Sequence, residues 1–261
     1  MSTLPRIHPG KYVNESPHVV ILGAGASRAA FPRGDRNGRK LPLMQDFVEI
    51  VGLHDVLDRA GVCHRGVNFE ELYERLAAKK PDSLFLEEIR QRIRNYFSLL
   101  ELPGQVTIYD KLLLGLRAKD FIASFNWDPL LLLAYRRNSR LKELPRIAFL
   151  HGCVSTGICE ACRVKGILTE RCAICGIPFK PVDLLYPIRE KGYRDSPFIA
   201  NEWRELEFYL ESAYLLTVFG YSAPRTDVEA REILRKVWDR NATKELAQVK
   251  IINTARPSVP T

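Results

Sequence analysis

The 261-residue chain has no apolar run of membrane-spanning length. Its longest leucine run is Leu130 to Leu133, far short of the about 20 residues a bilayer helix needs. Residues 1–17, MSTLPRIHPGKYVNESP, are polar and hold no apolar core of the kind a secretory signal carries. A membrane span and an exported protein are set aside, and the expectation is a cytoplasmic protein. There is no internal repeat and no low-complexity tract. Hydrophobic residues make up 46% and charged residues 27%, a balance that excludes wholesale disorder.

Positive charge is in excess, at a net +8. Such an excess favours polyanionic partners, nucleic acid among them, and suits a dinucleotide phosphate. A solvated basic surface accounts for most of it. The densest basic stretch, Arg33-Gly-Asp-Arg-Asn-Gly-Arg-Lys40, has the composition of a mobile loop. It has no interleaved aromatics and is not assigned as a nucleic-acid site.

Short apolar runs punctuate the chain at 18–22, 121–125, 147–150, 214–219 and 249–252. The first reads as a buried parallel strand, and the other four as further strands. Between them lie helical patterns. Asn68 with Glu71 predicts a capped start for a helix over 69–80. Leu86, Ile89, Ile93, Tyr96 and Leu100 recur at helical spacing. Helices are also expected at 203–212 and 228–240, and residues 28–42 read as loop. Strands alternating with helices predict an α/β, Rossmann-like, doubly wound and mostly parallel sheet. The expected organisation is a first Rossmann part over 1–151 with a helical subdomain at about 43–118, an inserted zinc-binding module over 152–183, and a second Rossmann part over 184–261.

The insert carries the most specific pattern. Five of the six cysteines lie between 153 and 175. Cys159-x-x-Cys162 and Cys172-x-x-Cys175 can bring two thiolate pairs onto one tetrahedral ion. Four thiolates leave no open position, so the zinc is expected to be structural. Cys153 is expected to be a packed strand-end thiol, and Cys63 a buried one.

Polar segments fall at the carboxyl ends of the expected strands: Gly23-Ala-Gly25 with Ser27, Asn126-Trp-Asp128, His151-Gly152, Gly220-Tyr-Ser222 and Asn253. In an open parallel sheet, ligands bind in the crevice at those ends. The glycine turn lets the backbone approach a pyrophosphate, with helix N–H groups beside it, although the third glycine of the dinucleotide fingerprint is missing. A plain strand-to-helix turn accounts for it equally well. Asp128 is open to two readings, a ligand contact or an N-cap with Pro129 at N1.

Together these segments resemble the sirtuin superfamily, in family order over roughly 18 to 255. Gly23-Ala-Gly-Ala-Ser27 is similar to its glycine turn, Asn126 and Asp128 to its Asn-x-Asp pair, and His151-Gly152 to its His-Gly pair followed by two CxxC motifs. The chain departs from the deacylases after Ser27, where Asp-Phe-Arg is missing. It departs again at Pro181-Val-Asp-Leu-Leu-Tyr-Pro187 and at Gly220-Tyr-Ser222. Those departures, with Asn68-Phe-Glu-Glu71, resemble the bacterial sirtuin-like NAD-degrading domains of antiphage defence systems.

The resemblance implies an enzyme that hydrolyses NAD at its nicotinamide–ribose bond. Asn126 would hold water or ribose, and His151 would act as base. Gly23, Ala24, Gly25, Ser27, Asp128, Gly220, Ser222, Asp227 and Asn253 would contact NAD, with Asp227 equally credible as a helix cap. It also implies a homo-oligomer or a second defence-system protein as partner. Tyr96 and Phe97 are the expected contact aromatics. An NAD-dependent protein deacylase is the alternative within the fold. A zinc-ribbon module that binds nucleic acid or nucleotide without turnover is the alternative outside it.

Overall fold

In the computed structural model, residues 16–79, 83–188, 192–242 and 245–253 are described. Five strands form one sheet: β1 (His18–Leu22), β2 (Phe121–Ser124), β3 (Arg146–Phe149), β7 (Leu215–Phe219) and β8 (Gln248–Ile252). Every neighbouring pair is parallel, in the order β3-β2-β1-β7-β8. The chain builds outward from β1 on one side, then returns to its other side. The direction of winding reverses between β1 and β7, and a crevice opens at such a point.

Alternation along the strands explains the layers. Val20, Leu22, Ile122, Ile147 and Phe149 enter one apolar cluster, and Val19, Ile21, Phe121, Ala123 and Ala148 another. A strand residue points to the opposite face from its neighbour, so an uninterrupted apolar run fills both sides. On the first face lie α1 (Ala24–Ala30), α2 (Phe47–Val51), α3 (His54–Arg59), α4 (Phe69–Lys79), α5 (Leu84–Ser98), α6 (Ile108–Gly115) and α7 (Leu130–Asn138). On the second lie α8 (Pro197–Leu210) and α9 (Val228–Asp239). The fold is thus a doubly wound α/β sheet with a helical subdomain.

The helix starts follow from local chemistry. Asn68 Oδ1 accepts from the Glu70 amide at 2.9 Å at the head of α4. Thr107 and Asp110 form a reciprocal capping box on α6. α8 begins at Pro197, six residues before the apolar spacing makes it visible, because proline suits the first helical position. Leu86, Ile89 and Ile93 are fully buried as the spacing predicts.

Three expectations are corrected. α1 runs to Ala30, so residues 28–30 are helical and not loop. The basic stretch after it is pinned: buried Asp35 accepts from the amides of Asn37, Arg39 and Glu101 at 2.8 to 3.0 Å. Phe97 lies inside the core, and Tyr96 is half-buried with its hydroxyl donating to Lys40 O. The α5 spacing turns both inward, so neither is a free aromatic for a partner.

The insert forms a separate three-stranded sheet of β4 (Thr156–Cys159), β5 (Val164–Ile167) and β6 (Lys180–Pro181), in the order β5-β4-β6 and antiparallel. Val164 and Phe179 pack with Cys159 and Cys172 as its small core. Among the described residues no helix is long and apolar enough to cross a membrane.

Candidate active site

The turns after β1 and β7 meet at the reversal point. The Gly23 amide donates to Phe219 O and the Gly25 amide to Gly220 O, both at 3.0 Å. A Cβ on Gly23 would lie 2.5 Å from Gly220 O. Gly220 has φ +64, and a Cβ there would strike Ala26 N. Only glycine allows this approach and this left-handed backbone. The glycines therefore lock two turns together, and two of the amides expected to face a phosphate are already engaged. α1 is only seven residues long.

Behind this turn lies a buried polar network. Asn126 Nδ2 donates to Gly23 O at 3.0 Å, to Ser27 Oγ at 2.9 Å and to Tyr109 Oη at 3.4 Å. Ser27 Oγ donates to Asp128 Oδ2 at 2.6 Å and lies 2.7 Å from Tyr109 Oη. Asp128 Oδ1 accepts from the Leu130 amide at 3.1 Å. Asp128 thus caps the start of α7 and anchors Ser27 with its second oxygen. Burial pushes the Asp128 carboxyl up, opposed by the Ser27 hydroxyl, and burial also raises Tyr109. The structure brings Gly23, Ser27, Asn126 and Asp128 together. Ser27 Oγ is the hub, and Tyr109, which no motif singles out, joins it through Ser27 and Asn126.

His151 follows β3 and is buried. Its Nε2 lies 2.9 Å from Tyr193 Oη and 3.9 Å from Asp227 Oδ1. Its ring stacks on Tyr193 with centroids 5.7 Å apart and meets the edge of Phe125 at 4.8 Å. Gly152 has φ +77, and a Cβ there would collide with Asp183 O. Glycine at 152 is therefore a steric requirement of packing residue 183 against the strand end. Asp227 precedes α9, but its side chain makes no capping bond. Its Oδ2 instead accepts from Tyr221 Oη at 3.0 Å. Tyr221 stacks flat on Phe125 at 4.1 Å. Ser222 and Asn253 are exposed at the ends of β7 and β8.

The segment after the insert closes over these strand ends. The Leu185 amide donates to His151 O at 3.0 Å, and Leu185 O accepts from Trp127 Nε1 at 3.2 Å. Tyr186 stacks on Tyr73. Arg189 and Lys191, basic residues that follow this segment in the sequence, lie outside the described residues.

In the insert, the sulfurs of Cys159, Cys162, Cys172 and Cys175 all lie within 4.8 Å of one another. Two knuckles converging on one point, with four thiol donors, fit a structural zinc ion. Cys153 is buried as expected, with its thiol pushed up to about 12 by desolvation. Cys63 is exposed, contrary to expectation. Its neighbour His64 takes the inward place, bonded to Val62 O and to His54. Elsewhere, a cavity of about 240 Å³ opens between residues 29–34 and 103–111, and none of the candidate site residues lines it.

No family model matches this chain, and no curated protein does. Several solved structures are similar to it. One, on the mechanism and regulation of Sir2 enzymes, is 14% identical with a TM-score of 0.44, covering 93% of this chain and 83% of its own. A mutant Sir2 homologue in complex with 2′-O-acetyl ADP-ribose is 16% identical with a TM-score of 0.43, covering 92% and 87%. A Sir2 protein bound to a myristoylated histone peptide is 15% identical with a TM-score of 0.40, covering 92% and 80%.

Proposed function

We propose that this chain is an NAD glycohydrolase that cleaves the nicotinamide–ribose bond with water. The observation that carries the reading is the placement of Asn126 and His151. They stand at the carboxyl ends of β2 and β3, adjacent strands beside the β1 turn. In an open parallel sheet this is where a nucleotide binds. Gly23, Ala24, Gly25, Ser27, Gly220, Ser222 and Asn253 border the proposed NAD site, with Asp128 fixing its floor.

The chemistry suits the residue types. Loss of nicotinamide leaves an oxocarbenium-like ribose, as in glycoside cleavage. Asn126 offers a neutral amide to orient the ribose or the water. Water adds to the anomeric carbon as the bond to nicotinamide breaks, and His151 takes the proton that water loses. The products are nicotinamide, ADP-ribose and a proton. The four-cysteine zinc site supplies stability and no step.

The segment at 183–185 supports hydrolysis over deacylation. A deacylase must pair an extended peptide with a free backbone edge. Here Leu185 spends both its amide and its carbonyl on His151 and Trp127. The resemblance noted in the sequence extends the proposal to antiphage defence, with a second copy or a second protein as activator.

The test is nicotinamide release from NAD, with and without an acetylated peptide, across a range of protein concentrations. Release without peptide is expected. Asn126→Ala and His151→Ala should each lower it about 10²–10⁴-fold. O-acetyl-ADP-ribose formed only with peptide would replace this reading by the deacylase. No release under any condition, with retained affinity for nucleic acid, would favour a binding module.

A further inference from the structure

The sequence places Asp227 either against NAD or at a helix start, and the geometry gives it a different task. His151, Tyr193 and Asp227 come from three separate segments: the end of β3, the stretch before α8 and the turn before α9. All three are nearly inaccessible, at 7%, 1% and 3% exposure. Their polar atoms converge on one nitrogen. Tyr193 Oη is 2.9 Å from His151 Nε2, and Asp227 Oδ1 is 3.9 Å from it.

We propose that Asp227 and Tyr193 are positioning residues that hold His151 in its working orientation and stabilise its protonated form. The inference rests on the reading of His151 as the base of NAD cleavage.

The physical argument has two parts. A carboxylate about 4 Å from an imidazole, away from bulk water, favours the imidazolium. That is the form His151 must reach when it accepts a proton. Tyr193 supplies orientation. Its ring lies nearly parallel to the imidazole, at 14°, which limits rotation, and its hydroxyl fixes the position of Nε2. Burial and the nearby Asp227 hold that hydroxyl well above its ordinary range, so it stays neutral.

Further groups surround the cluster. Tyr221 donates to the second oxygen of Asp227 and keeps the first turned to His151. Glu229 on α9 adds negative charge near Tyr193, and Glu70 on α4 adds it near Tyr221. Phe125 closes the apolar side. The Asp227 carboxylate lies within salt-bridge distance of the imidazole, so its charge acts on His151 directly.

The experiment is a ring-nitrogen NMR titration of His151 in the full chain without NAD, assigned by the signal lost in His151→Gln, alongside steady-state kinetics. Asp227→Asn should lower the His151 midpoint by about one unit or more. It should cut kcat and move the acidic limb of the pH profile to lower pH, while KM stays within about twofold. Asp227→Glu should restore part of the midpoint. Tyr193→Phe keeps the ring, so it should shift the Nε2 resonance and lower kcat about tenfold, the value of one hydrogen bond. If Asp227→Asn fails to fold, the Tyr193→Phe shift decides alone. If the chain does not cleave NAD, the titration still decides this proposal, and only the proposed function fails. A His151 midpoint and Nε2 resonance unchanged in both variants overturn it, as does a pure KM increase in Asp227→Asn.

Discussion

Lys165→Met should show how the zinc-bearing insert is fastened to the sheet. Lys165 stands on β5 and reaches across to α8. Its Nζ donates to both Glu202 carboxylate oxygens at 2.8 Å and to Ile147 O at 2.6 Å. Glu202 also accepts from the Phe149 amide at 2.7 Å, two residues before His151. The Glu202 side chain is 1% exposed and that of Lys165 13%. Methionine keeps most of the Lys165 volume but strands the carboxylate. Breaking a buried pair from one side costs about 3–5 kcal/mol at neutral pH. That is a large part of a typical total stability of about 5–15 kcal/mol. At about 2–4 °C per kcal/mol for a chain of this size, the midpoint of thermal unfolding should fall by roughly 6–20 °C.

The pH dependence has a definite sign. Burial holds the Glu202 carboxyl above its ordinary range even with Lys165 beside it. Removing the cation raises it further. A group raised in the folded state contributes stability below its unfolded value, and that contribution is lost as pH rises through the folded one. The deficit relative to the parent should therefore shrink between pH 7 and pH 5. The double variant Lys165→Met/Glu202→Gln removes the stranded charge and keeps an acceptor for Phe149. It should recover all but about 1 kcal/mol, the worth of a hydrogen bond. Urea unfolding at both pH values measures this. A single-variant cost under about 1 kcal/mol at pH 7, or a double variant no better than the single, would refute the buried-pair argument.

Further outcomes are expected. Purified protein should carry about one zinc per chain, and Cys159→Ser should lower that content and the unfolding temperature together, read by metal analysis and calorimetry. A thiol reagent added to zinc-loaded protein should label Cys63 first and Cys153 only on unfolding, because one is exposed and the other is buried with its thiol near 12; Cys63→Ser should abolish the fast phase. Gly220→Ala should destabilise by at least about 1–3 kcal/mol, from backbone strain plus the clash with the α1 start; a thermal shift below 1 °C would contradict the close approach of the two turns.

Much of this protein is legible in its sequence because the signals are local. The runs His18-Val-Val-Ile-Leu22 and Phe121-Ile-Ala-Ser124 read as strands, the first as a buried one, and both pair in one parallel sheet. Paired CxxC motifs carry their own geometry, and the four sulfurs do converge. Asn126, Ser27 and Asp128 sit beside a turn that the glycines announce. Tertiary structure decided what no spacing encodes. Tyr193 reaches His151 from 42 positions away, and Tyr109 reaches Ser27 from 82. A single tyrosine in a loop or helix gives no pattern that marks its partner. Asp227 has the sequence context of a helix cap, yet its carboxylate turns to Tyr221 and His151 because α9 brings it to the end of β3. Cys63 looks like a buried thiol by type, but the turn around it gives the inward place to His64. The sequence sets local backbone preference and apolar periodicity, which act over a few residues. The partners of a buried polar group are set by which strand ends the sheet order makes neighbours, and that order exists only once the chain has folded.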